Sequence, residues 1–265
     1  MRRLRVGRIA ALNMYPIYHG LERAADPGLE FTDGVPTTLN AAVLEGRLDV
    51  SAMSSIAYAR NADRLALVPV ASITAEGAVD SIQVFSRVPF GEVRSVAVTP
   101  HSATSVALLR ILLGPSVPFA VLDRPPEQAL QEVDGVLLIG DEALGGLRAP
   151  FAAHRTDLAE EWTGRTGHPM VFAVWAASAE AARTRGPALA GLAGLLREAR
   201  ADYLADPEAV VQAAARRFPF PAGFIRPYLQ RLRYEFGPAE RAGLEAFLTQ
   251  AAENGELDVV PRLAA

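Results

Sequence analysis

The chain has 265 residues, half of them hydrophobic, and a formal net charge of −4. It can bury the core of one large domain or of two lobes, and it is not a disordered chain. With no cysteine and no lysine it excludes disulfides, thiol catalysis, Cys-based zinc sites, lysine Schiff bases and a Walker-type phosphate loop. The acidic balance argues against nucleic acid as a partner.

The basic start MRRLR is not followed by the unbroken apolar core of a secretory signal, because Arg5 and Arg8 interrupt it and Asn13 and Pro16 follow closely. No apolar run approaches the ~20 residues of a membrane helix, so a cytoplasmic protein with no membrane partner is expected.

LRVGRIA reads as a strand, and LNMYPIYHGL as a loop entering a short helix, with Pro16 allowed near its start. LEFTDGV is a second strand. PTTLNAAVLEGRLDVS reads as a helix capped by Thr37 or Thr38, with Leu39, Val43 and Leu44 on one face and Gly46 as its stop. LDVSAMSSIAYARN gives a short strand, a Ser-rich turn and a helix. ALVPVASIT and SIQVFSRV are strand-like. Strand and helix therefore alternate over the first ~90 residues, the pattern of a parallel or mixed sheet with helices on its faces.

A similar unit starts at Val93. VRSVAVT is a strand, PHSATSVALLRILLG a polar turn opening a helix, PFAVLD a strand and PEQALQEV a short helix. DGVLLIGDEAL is a buried strand with a polar end, and VFAVWAAS a further strand. From about Glu180 the chain reads as consecutive helices: LAGLAGLLREARADYLAD, PEAVVQAAARRF, AGFIRPYLQRLRYEF and PAERAGLEAFLTQAAENG. The architecture expected is α/β, with two lobes, a ligand cleft between them and a helical C-terminal segment. Residues 1–92 with 178–265 would form one lobe, and 93–177 the inserted one.

Ligands in such folds sit at the carboxyl ends of strands, so the polar residues there are the candidates. Asn13 lies in an otherwise apolar loop; it either holds a ligand hydroxyl or carboxylate, or satisfies turn backbone. Ser54 and Ser55 follow a strand and precede a helical run, as either a helix cap or an anion-binding helix start. Ser102, Thr104 and Ser105 repeat that arrangement in the second unit. Asp141 and Glu142 end a buried run, as acid, base or hydroxyl holder, or as a cap or arginine partner. The four histidines, His19, His101, His154 and His168, lack metal-binding spacing, and no metal or cofactor is expected. No GxSxG or GxGxxG occurs. RRFPFPAGFIRPYLQRLR carries five arginines and reads as a solvated helical face.

Taken together, VGRIAALNMYPIY, GVPTTLNAAVLEGRLDVSAMSSIAYAR, SITAEGAVDSIQVFS, SVAVTPHSATSVALLR, LLIGDEAL and DLAEEWTGRTGHPMVFAVWA closely resemble the menaquinone-biosynthesis family of the futalosine route. Within that family they look most like the branch that dehydrates chorismate. The resemblance runs from about residue 4 to 177 and implies a periplasmic-binding-protein-like fold of type II used as an enzyme. It implies a carbon–oxygen lyase (hydro-lyase) that converts chorismate to 3-[(1-carboxyvinyl)oxy]benzoate, without cofactor, as a monomer or homodimer. The sister branch, which makes 1,4-dihydroxy-6-naphthoate, carries a histidine base near the segment that here reads LLIGDEAL, where no histidine stands. A non-catalytic binding protein for a small carboxylate is the other alternative.

The family's ligand-contacting segments fall on Ser54, Ser55 and Ile56 and on Thr104 and Ser105; Arg8 and Ser81 join the expected substrate-binding set. One substrate carboxylate would then dock at the Ser54/Ser55 turn and the other at the Thr104/Ser105 helix start. Asn13 and Asp141 are the expected catalytic residues. The proton acceptor is either the substrate's own enolpyruvyl carboxylate, oriented by Asn13, or Asp141.

Overall fold

In the computed structural model, which describes residues 2–100 and 102–263, two sheets share the chain. Strand β1 (Leu4–Arg8) opens it, and a single 3-10 turn at Leu12–Met14 leads into α1 (Tyr15–Ala24), with Pro16 in the first turn, where no N–H is required. Then come β2 (Leu29–Asp33), α2 (Pro36–Leu44), β3 (Val50–Ser54), α3 (Ser55–Ala59) and the long β4 (Leu65–Ala75). α2 ends two residues before Gly46, whose φ of +73° suits glycine, but neither Thr37 nor Thr38 caps it: its N-cap is Val35, with no side-chain bond.

The chain next crosses to the second sheet. It forms β5 (Ile82–Ser86), β6 (Val96–Val98), α4 (Ala103–Leu113), β7 (Phe119–Val121), α5 (Pro126–Ala129), β8 (Gly135–Ile139), α6 (Gly140–Arg148), β9 (His154–Asp157) and α7 (Leu158–Thr166). It returns through β10 (Met170–Ser178), α8 (Ala179–Thr184), α9 (Gly186–Ala205), α10 (Pro207–Ala215), α11 (Ala222–Gln230), β11 (Leu232–Glu235) and α12 (Pro238–Glu253).

The first sheet has the order β11-β4-β10-β3-β1-β2 and the second β7-β6-β8-β5-β9. β1, β2 and β3 run parallel, as do β6, β7 and β8, whereas β10 is antiparallel to both β3 and β4. Two expected boundaries therefore move. β5 belongs to the second sheet and β10 to the first, so the chain changes sheets between Ala75 and Ile82 and between Asp157 and Met170, not at 92/93 and 177/178. LRYE, read as the end of a helix, is β11; alternating burial lets Leu232 and Tyr234 pack inward while the strand pairs with β4. DGVLLIGDEAL splits after Ile139 into strand and helix.

One hydrophobic core spans both sheets, including Val6, Val50, Val174 and Trp175 of the first and Val84, Val96 and Leu137 of the second. α12 closes it from outside, where Phe247 meets Trp162 of α7 edge-on, with ring centroids 6.0 Å apart. Past α12, Glu256 pairs with Arg60 beside α3 at 2.7 Å and with Arg110 of α4 at 2.8 Å, joining the two lobes at the back.

The crossover segment is tied by one carboxylate. Asp157, buried at the start of α7, accepts from the backbone N–H of Val79 (2.9 Å), Asp80 (2.7 Å), Ala159 (3.0 Å) and Glu160 (3.2 Å), and from the Gln83 amide (2.6 Å). Burial, only partly offset by the backbone donors, pushes its carboxyl up to about 6, so at neutral pH the ionised form meets all five donors. Arg231 holds Asp80 at 2.7 Å and Arg233 pairs with Glu76, so two of the five arginines read as a solvated face instead clamp the crossover to the first lobe. Asp157→Ala should lower unfolding stability by about 4 kcal/mol, because it strands several buried donors at once. Chemical denaturation checks this; a loss below about 1 kcal/mol would mean that the crossover does not depend on the carboxylate.

Candidate active site

The carboxyl ends of β1, β3, β6 and β8 open onto a cleft of about 350 Å³ between the sheets. Its first-lobe wall includes Asn13 beyond β1, Pro36, Thr37 and Asn40 of α2, and Ser54 at the end of β3. Its second-lobe wall includes Ser81, Ser102, Ser105, Gly140 and Asp141. Apolar side chains of Ile9, Met53, Ile73, Ile82, Ile139 and Phe172 fill the space between these polar groups.

Two contacts bring the lobes together around this cleft. The Ile56 N–H of α3 donates to the Thr104 hydroxyl of α4 at 3.1 Å. The Leu12 N–H, beside Asn13, points at the Asp141 carboxylate of α6. Gly140 makes the second contact possible. At φ +57° it turns the chain out of β8 and into α6, and its N–H donates to the Ser81 carbonyl at 2.7 Å, which sets Ser81 and Asp141 side by side.

Nine residues were expected to form the site, and the cleft gathers Asn13, Ser54, Ser81, Ser105 and Asp141. The other four have different work. Arg8 is bonded to Asp33 (2.8 Å) and Glu22 (2.5 Å) and covers the Phe31 ring, outside the cleft. The Ser55 hydroxyl donates to the Val171 carbonyl at 2.6 Å, Ile56 is fully buried, and Thr104 holds Ile56. The two helix starts thus face each other and partly satisfy each other. The start of α4 is further closed by the Ser102 hydroxyl, which accepts from the Ser105 N–H at 3.2 Å. His101 lies outside the described residues.

What remains unsatisfied is informative. Among the described residues six buried side-chain polar atoms have no hydrogen-bond partner, and three of them, Asn13 Oδ1, Asn40 Oδ1 and Ser54 Oγ, belong to residues of this one cleft. Each such atom costs about 1–3 kcal/mol unless something else meets it, so their clustering marks a place built for a polar ligand. Asn40 was not visible in the sequence, where it sits inside an ordinary helical pattern. A wider concavity of about 630 Å³ on the second lobe shares Thr99 and Glu142 with the cleft. None of the six unpartnered atoms lines it, and its Arg124 is paired with Asp123 and Glu132. The smaller cleft is therefore the candidate site.

Charge narrows the ligand further. Among the described residues no basic side chain lines the cleft, and its only ionisable carboxyls are Asp141 and Glu142. Burial raises the Asp141 pKa above the ordinary carboxylate range, with the Leu12 N–H pulling it back. Behind Ser81 the fully buried Tyr228 hydroxyl has its pKa raised by burial, the Ser81 hydroxyl acting in the opposite sense. No group of three or more His, Asp or Glu that could hold a metal ion is found among the described residues. Nor is any helix among them long and apolar enough to cross a membrane.

Residues 4–253 match the family model described as menaquinone biosynthesis. A chorismate dehydratase of Thermus thermophilus is 34% identical over 252 residues, covering 89% of this chain and 90% of the relative. Among solved structures, an Archaeoglobus fulgidus protein superposes with a TM-score of 0.78 at 16% identity, covering 96% of this chain and 98% of the other. The periplasmic aliphatic sulphonate binding protein of Escherichia coli superposes at 0.68 with 18% identity, covering 100% and 95%. At such identities these structures establish the fold alone: the two-lobed, periplasmic-binding-protein-like architecture.

Asn13→Ala and Ser54→Ala each remove an unpartnered buried oxygen. Each should leave the unliganded protein as stable as before or more stable by up to about 1 kcal/mol. Thermal and urea unfolding check this; a loss of more than about 1 kcal/mol would give these atoms a structural role instead.

Proposed function

We propose that this chain, which belongs to the menaquinone biosynthesis family, dehydrates chorismate to 3-[(1-carboxyvinyl)oxy]benzoate, acting as a hydro-lyase in the cleft between its lobes. The observation that carries this reading is the similarity to a chorismate dehydratase along nearly the whole chain. It is supported by a cleft of about 350 Å³ whose lining residues include Asn13, Asn40 and Ser54, each with a buried polar atom that has no protein partner. No histidine stands in LLIGDEAL, the segment near which the naphthoate-forming branch carries its histidine base, and this favours dehydration over that alternative.

The reaction removes the hydrogen of the ring carbon bearing the enolpyruvyl ether and the hydroxyl of its neighbour. The C–H electron pair forms the ring double bond as the C–O bond breaks, and one water leaves with an aromatic ring behind. Aromatisation drives the step, so the protein's task is to favour this exit over rearrangement, chiefly by positioning. The enolpyruvyl carboxylate lies within the same molecule as the departing proton and accepts it. Asn13 holds that carboxylate in place. Negative charge spreads through the ring to the other carboxylate, where the Ser54 and Ser105 hydroxyls donate hydrogen bonds. Asp141, with its pKa raised by burial, is held as the acid that protonates the departing hydroxyl.

Incubating the purified protein with chorismate should yield a product lighter by one water, with aromatic absorbance. Unchanged chorismate, with an active control enzyme alongside, would defeat this reading. Asn13→Ala should lower kcat by about 100-fold with a much smaller change in KM. An acid must be protonated, so kcat should fall as the pH rises through the Asp141 pKa of the complex, and Asp141→Asn should abolish that limb. A kcat that instead rises over the same range would make Asp141 the base.

A further inference from the structure

We propose that Asn40 is a specificity-determining residue that holds one of the ligand's two carboxylates through its amide. This rests on the function proposed above. A dianion entering the cleft meets no basic side chain among the described residues, so neutral N–H and O–H groups must take over the hydrogen bonds that its carboxylates made to water. Much of that capacity is already committed. The Ile56 N–H is given to the Thr104 hydroxyl, the Ser55 hydroxyl to the Val171 carbonyl, the Ser105 N–H to the Ser102 hydroxyl and the Ser102 hydroxyl to that of Ser105. Of the groups facing the cleft, Asn40 is one whose amide oxygen is buried with no partner at all.

Its position on α2 points the same way. Leu39 and Val43 turn into the core, and Asn40 is set on the side that lines the cleft together with Pro36 and Thr37 of the first turn. Val35 and Thr37 are exposed, so α2 forms the wall nearest solvent, with Asn40 one turn further in. Asn13 stands instead beside the Leu12–Asp141 contact, where the reaction is placed. The two amides therefore meet different parts of the ligand. Oδ1 and Nδ2 of an asparagine exchange places by a half-turn of the amide, so the group can turn an N–H toward a carboxylate. An aspartate at this position keeps the shape and loses every donor.

The test compares wild type with Asn40→Ala and Asn40→Asp, using the product 3-[(1-carboxyvinyl)oxy]benzoate as the calorimetric ligand and chorismate for kinetics. Asn40→Ala should weaken product binding and raise KM by about tenfold or more while kcat changes by less than about threefold, and its thermal midpoint should not fall. Asn40→Asp should bind at least about tenfold more weakly still, because a like charge then faces the carboxylate, and lowering the pH should restore part of the loss. Benzoate, as a competitor carrying the ring carboxylate alone, separates the two carboxylates. Because Asn13 holds the enolpyruvyl carboxylate, benzoate should lose affinity for Asn40→Ala as the product does; retained benzoate affinity beside weakened product binding would contradict this division of the two carboxylates between the two amides. Unchanged product binding in Asn40→Ala, or Asn40→Asp binding as well as wild type, would overturn the inference and leave the dehydratase reading standing. A wild type that neither binds nor converts these compounds would overturn both.

Discussion

A ligand with two negative charges has to leave water for a cleft that offers no cation among its described residues. Stripping a carboxylate of water without new partners costs several kcal/mol. The chain carries 26 basic residues, all arginine, yet those near the lobes are committed elsewhere: Arg8 to Asp33 and Glu22, Arg60 and Arg110 to Glu256, Arg231 to Asp80. The cleft must work with dipoles. That requirement accounts for its asparagines and serines and for the cluster of buried polar atoms without a protein partner. A full cation would bind a dianion tightly in ground state and transition state alike, whereas donors aimed at developing charge favour the transition state.

Dipoles act over short distances, so they have to be held still, and the fold supplies the rigidity. Asp157 gathers five donors at the crossover, and Glu256 joins Arg60 and Arg110 at the back of the lobes. The Ile56–Thr104 bond ties α3 to α4 across the lobes. Gly140 turns sharply enough to place Asp141 against Leu12, a step that a residue with a Cβ would take only under strain.

Much of this was legible in the sequence, for reasons that also explain the gaps. Strands such as VRSVAVT and helices such as PAERAGLEAFLTQAAENG announce themselves because their periodicity is local. LRYE did not, because four residues after a helix gain strand character only by pairing with β4, more than 150 positions earlier in the chain. The lobe boundaries shifted for the same reason: β5 and β10 resemble their sequence neighbours but hydrogen-bond in the other sheet. In the site, strand-end position pointed to Asn13, Ser54, Ser105 and Asp141, all of which line the cleft, whereas Ser81, just before β5, had no such signal. It could not tell a helix start facing a ligand from one facing another helix, which is the fate of Thr104 and Ile56. Asn40 was hidden by its neighbours, since a lone amide in PTTLNAAVL looks like the polar side of an amphipathic helix.

The most direct measurement is a crystal structure with 3-[(1-carboxyvinyl)oxy]benzoate bound. The account predicts the product in the cleft between the sheets, its carboxylates met by amide, hydroxyl and backbone donors and by no arginine, with Asn13, Asn40 and Ser54 each gaining a partner. A product seated in the wider concavity beside Arg124, or one drawing an arginine into the cleft, would contradict it.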